Sequence, residues 1–118
     1  MNAQTRSMLE ACGVDIDVTM ERFMGKEELL FKFLKKFVND ESYAKLIASI
    51  DAKEFESAFS HAHTLKGVSA NLGLGNLNDS TQKLVEKLRA KDYNDYEGMV
   101  EDIKKDYAEA MDMIGKLD

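Results

Sequence analysis

Apolar side chains recur along this chain at intervals of three and four, the period of helices with one buried face. Residues 3–11 predict a short helix ending at Gly13. A second carries Val18, Met20, Phe23 and Met24, starts at a cap supplied by Asp15 or Asp17, and stops at Gly25. From Lys26 to about Ile50 the apolar positions are Leu29, Leu30, Phe33, Leu34, Phe37, Val38, Ala44, Ile47 and Ile50. Their phase fits one long helix or a pair broken near Asn39. Asp51 reads as the cap of the next helix, which runs from about Lys53 to Leu72 with Phe55, Ala58, Phe59, Ala62, Leu65, Ser69 and Leu72 as its core stripe. Gly73 and Gly75 bracket a turn. A helix from Asn76 to about Lys91 follows, and Asp92 or Asn94 starts the last one, whose apolar side runs from Tyr96 to Ile114.

Short links between amphipathic helices make sequential neighbours antiparallel. The pattern therefore predicts an all-α chain of one domain, residues 1–118. Short N-terminal helices over 1–25 pack on an antiparallel up-and-down four-helix bundle over 26–117.

Composition agrees with this pattern. The chain lacks proline, the residue least tolerated inside helices, and Leu, Lys, Glu, Ala and Met outnumber the β-branched types. With 118 residues, 44% hydrophobic and 32% charged, it can close a single core unaided. The net charge of −6 argues against nucleic acid, since Lys35-Lys36 and Lys104-Lys105 are isolated pairs and not a basic footprint. No apolar run is long enough to span a membrane, and Met1 to Glu10 is too polar for a signal peptide. Cys12 stands alone, so no intrachain disulfide forms and a reducing compartment is expected. The expectation is a monomeric cytoplasmic protein, either free-standing or excised from a longer one.

The chemistry gathers in His61-Ala62-His63-Thr64-Leu65-Lys66-Gly67. His63 falls at the margin of its helix's buried face, with Lys66 and Gly67 three and four positions on, one turn away. Glycine inside a helix costs about 1 kcal/mol relative to alanine. Accepting it beside a histidine suggests that something large approaches the imidazole and must not meet a side chain at 67. Neutral imidazole is a good nucleophile near neutral pH, and Lys66 puts a cation where a phosphoryl group would carry negative charge. No Gly-rich phosphate loop and no acidic cluster set out for magnesium is present, so intrinsic kinase or phosphatase activity is not expected. The rest of the site would come from a partner.

The run Ala62-His63-Thr64-Leu65-Lys66-Gly67, continuing through Val68-Ser69-Ala70-Asn71-Leu72-Gly73-Leu74, resembles the signature of histidine-containing phosphotransfer domains. Gly13 to Asp17, leading to Glu21-Arg22-Phe23-Met24-Gly25, is similar to the segment that precedes the bundle in that family. The resemblance implies a four-helix bundle that relays phosphoryl groups between aspartates of receiver domains. Its partners would be response-regulator receivers, a hybrid histidine kinase, or both. It makes His63 the phospho-acceptor at its outward ring nitrogen, Lys66 the electrostatic helper and Gly67 the clearance residue. The chain itself would carry no cofactor, with magnesium held by the receiver. In many members a polar residue 22 positions after the histidine holds the other ring nitrogen; here that position is Val85, which cannot serve. Gln82, one turn earlier, takes the role by this reading, with Glu86 as the second candidate.

Two other features have plainer readings. His61 and His63 are two apart, about 200° around a helix, so they cannot chelate one ion, and His61 reads as a bystander. Met8, Met20 and Met24, with Leu9, Val14, Ile16 and Phe23, form either a receiver-docking patch or a cap on the bundle core. A kinase substrate domain and a bundle that merely sequesters receivers remain the competing functions. The former would take its phosphate from a kinase ATP-binding domain, and the latter would bind without transfer.

Overall fold

Each helix of this chain starts and stops at a local backbone signal. In the computed structural model, which describes residues 1–117, these signals delimit α1 Ala3–Ala11, α2 Ile16–Arg22, α3 Glu27–Phe37, α4 Ser42–Asp51, α5 Phe55–Asn71, α6 Gly75–Arg89 and α7 Glu97–Gly115. Asp118, the last residue of the expected domain, lies outside the described residues. No strand occurs among the described residues, and the all-helical expectation holds.

Asp15 caps α2 by accepting the Val18 amide at 3.1 Å, which settles the choice between Asp15 and Asp17. The Lys26–Ile50 stretch is a pair and not one helix. Asp40 accepts the Ser42 backbone amide at 2.8 Å and also its hydroxyl, so α4 nucleates afresh after the Val38–Glu41 break. Residues 26–117 thus hold five helical segments.

Two expected starts are corrected. Asp51 is the last residue of α4 and not the cap of α5. The α4 helix runs on because Ile50 is buried, and the turn after it closes through Lys53 (φ 56), where the Glu54 amide returns to the Ser49 carbonyl. The last helix begins at Glu97, beyond both Asp92 and Asn94. Asp92 is used instead in the turn, accepting Lys87 Nζ at 2.9 Å and the Asn94 amide at 3.1 Å. The loop is then held against α5, since Tyr93 stacks on Phe55 at 4.4 Å and Tyr96 meets the same ring edge-on at 5.6 Å.

The α5 helix is in contact with both α4 and α6; α7 packs on α6 and touches α3. The buried stripe of α5 is Ala58, Ala62, Leu65 and Ser69, so small side chains let the neighbouring helices come close. Leu30, Leu34, Leu46, Leu65, Leu77, Leu84 and Ile103 complete a continuous core drawn from α3 to α7. The body measures 43 × 22 × 21 Å.

The N-terminal helices pack at one end of this body, over the turn joining α5 to α6. That turn is a Schellman motif: the Leu74 amide reaches the Ser69 carbonyl at 2.9 Å and the Gly73 amide reaches Ala70 at 3.1 Å. Gly73 sits at φ +75 with Thr19 of α2 so close that a Cβ could not fit between them. Arg22 Nη1 donates to the Ala70 and Asn71 carbonyls at 2.7 and 3.1 Å, covering the open end of α5. Asn76 bonds back to Ala11 and Cys12 at 3.0 and 3.2 Å. These contacts fix the C-terminal half of the histidine helix.

Candidate functional site around His63

His63 lies in the middle of α5 with its ring exposed. The helix reaches this point unbroken because Ala58, Ala62 and Leu65 anchor it on the core side, leaving positions 60, 63, 64 and 67 toward solvent. Lys66, one turn on, is half-buried, as long cationic side chains often are. Among the described residues it makes no ion pair, so its charge is not already spent on a carboxylate.

Gly67 is the informative neighbour. A Cβ built there meets nothing within 4 Å, so no close helix contact explains the glycine. The helix tolerates a poor helix former whose only local consequence is empty space beside His63. The backbone beneath is fixed by two extra donors on one carbonyl. Ser69 Oγ and Asn78 Nδ2 both donate to the Lys66 carbonyl, at 3.0 and 2.9 Å.

The residues considered as ring holders occupy different environments. Val85 is fully buried in the core. Gln82 is exposed on α6, and no hydrogen bond joins it to His63 among the described residues. Glu86 is exposed and engaged with Arg89 at 2.7 Å. The ring's recorded neighbour is Phe59, one turn earlier on α5, whose plane is 3° from that of the imidazole with centroids 6.2 Å apart. Arg89 of α6 places its guanidinium 5.7 Å from the Phe59 centroid. Sequence reasoning assigned Phe59 to the core and passed over Arg89 and Asn78, because only the α5–α6 register brings the last two to α5. His61 is half-buried, and among the described residues no three His, Cys, Asp or Glu side chains gather as a metal site.

Beside this face runs a groove of about 490 Å³, lined by Arg22, Phe23, Phe33, Lys36, Phe37, Val68 and Leu72 among others. Val68 belongs to α5 and Leu72 is its C-cap, so the groove begins one residue beyond Gly67. The suspected methionine patch divides. Leu9, Val14, Ile16 and Phe23 are core, Met8 and Met20 are half-buried against it, and Met24 is 70% exposed. Phe33, at 41% exposed, joins the accessible apolar surface from α3. No helix among the described residues is long and apolar enough to cross a membrane.

A family model, described as the Hpt domain, matches residues 34–113, from within α3 to near the end of α7. Comparisons with curated proteins and with solved structures returned no match. Hpt domains carry phosphoryl groups on histidine in two-component systems and deal with receiver domains and histidine kinases. The matched segment spans more than half of the chain and contains α4, α5 and α6 whole, so this protein belongs to the Hpt-domain family.

Proposed function

We propose that the chain relays a phosphoryl group between aspartates of receiver domains, with His63 as the transient carrier. The observation that carries this reading is the exposed imidazole beside the vacant Cβ space of Gly67, with Lys66 on the same turn of helix. In the forward step a lone pair of the outward ring nitrogen forms the N–P bond as the acyl phosphate P–O bond of the donor breaks, and the aspartate leaves as carboxylate. The second step is the same exchange in reverse, onto another receiver. Neither step needs a base or an ATP site in this chain, only in-line access and charge stabilisation.

Lys66 neutralises charge on the phosphoryl oxygens, and Gly67 gives the receiver room to bring its aspartate in line. Gln82, exposed on the helix packed against α5, is assigned the hydrogen bond to the inner ring nitrogen of the loaded imidazole. The groove between α2, α3 and α5 supplies the docking area, its apolar floor flanked by Arg22 and Lys36 in an otherwise acidic chain. Magnesium belongs to the receiver. The carrier works as a cytoplasmic monomer on an antiparallel four-helix bundle, in which α3 and α4 together make one helix of the four. It has no call for nucleic acid or membrane.

The test is direct. A phosphorylated receiver with magnesium should label the protein, and His63→Gln should abolish the label. Labelling that survives this substitution overturns the proposal. Labelling that requires a kinase ATP-binding domain and never a receiver would make the chain a kinase substrate domain instead.

A further inference from the structure

An imidazole on an exposed helix face swings about two side-chain torsions unless something holds it. The buried Val85 cannot hold it, and among the described residues no side chain bonds to the His63 ring. The ring nevertheless lies parallel to Phe59 within 3°, at a centroid separation of 6.2 Å. That separation is within the range of offset-stacked aromatic pairs. Phe59 is half-buried and further restrained from across the helix pair. Arg89 of α6 sits over its ring at 5.7 Å, and Glu86 holds Arg89 at 2.7 Å. A continuous series of contacts, Glu86 to Arg89 to Phe59 to His63, therefore runs from α6 to the reactive ring.

We infer that Phe59 is a positioning residue, which sets the plane of the His63 imidazole by stacking where the usual polar holder is a valine. The inference rests on the carrier reading and adds to it the means of orientation. Stacking leaves both ring nitrogens free of protein. The outward nitrogen stays open to the phosphoryl group and the inner one can take a donor or acceptor once loaded. Arg89 acts one step removed, by restraining the Phe59 ring.

The experiment compares the full chain with Phe59→Leu, Phe59→Tyr and Arg89→Gln, measuring phosphoryl uptake from a phosphorylated receiver and receiver affinity. It also records NMR contacts between the rings of residues 59 and 63. Phe59→Leu keeps an apolar side chain but removes the ring face, and uptake should fall roughly fivefold with affinity unchanged. Phe59→Tyr should restore it, which a role in core packing alone would not require. If Phe59→Leu lowers the unfolding midpoint, Arg89→Gln, changed on an exposed position, decides instead, with an expected fall of roughly twofold. Wild-type uptake in Phe59→Leu, or in a well-folded Arg89→Gln when that variant decides, overturns the inference. Should the unaltered protein take no label from any receiver, the carrier reading fails, and the NMR arm decides the stacking separately. A wild-type His63 ring averaged over rotamers, without contact to Phe59, overturns it.

Discussion

Asn78 of α6 donates its side-chain amide to the backbone carbonyl of Lys66 on α5 at 2.9 Å. This is a polar tie between the two helices at the level of the site, and the same carbonyl also accepts Ser69 Oγ. It fixes how far α6 slides along α5, and with that where Gln82, Glu86 and Arg89 fall relative to His63.

Asn78→Ala should therefore cost about 1 kcal/mol of stability, the usual net value of one partly buried hydrogen bond. Urea unfolding measures the loss. An unchanged midpoint would mean that the tie contributes nothing to the register.

Gly67→Ala should separate stability from function. Since a Cβ at 67 meets nothing, the variant should gain up to about 1 kcal/mol from helix propensity. If the proposed carrier role holds, the same methyl would stand in the receiver's approach, and phosphoryl uptake should slow even as the unfolding midpoint rises. A stabilised variant with unaltered uptake would remove the clearance role from Gly67.

Thr81 buries its hydroxyl on α6 with no hydrogen-bond partner among the described residues. An unpaired buried polar atom costs its desolvation without return. Thr81→Val, which keeps the branched shape, should stabilise the bundle by about 1 kcal/mol. A destabilised variant in the same urea titration would show that the hydroxyl finds a partner.

Alkaline pH should weaken the fold. Burial pushes the Cys12 thiol above its ordinary pKa, with Glu109, Asp106 and Asp112 adding to the shift. Burial does the same for the stacked phenols Tyr43 and Tyr107, helped by Glu101 for the first and by Tyr43 and Asp40 for the second. The unfolded chain gives up these protons first, so the native state binds more of them and stability falls as pH rises. The decline should begin near pH 8.5, where a free thiol ionises, and steepen above about pH 10 as free phenols follow. Urea midpoints from pH 7 to 10.5 measure it, and a flat profile would contradict the burial of these groups.

Periodicity located the helical stretches and most of the core, though it left Lys26–Ile50 open between one helix and two, because a buried helical stripe is written every three or four residues whatever packs against it. Ala58, Ala62, Leu65 and Ser69 are buried as that rule requires. The site's local part was legible for a related reason: His63, Lys66 and Gly67 lie within one turn of one helix, so their proximity follows from spacing. Helix ends were less legible. Asp51 and Asp92 look like caps, yet α4 and α6 close through left-handed Lys53 and Lys91, residues with no compositional mark for that role. Whatever depends on two helices had to await the tertiary structure. The Arg89–Phe59 contact, the Asn78 tie and the burial of Val85 are set by the rotation and register of α6 against α5, to which residues far apart in the chain contribute jointly. The sequence determined that this protein presents a histidine, with a lysine and a glycine one turn away, on a helical scaffold. Only packing decided which side chains surround its ring.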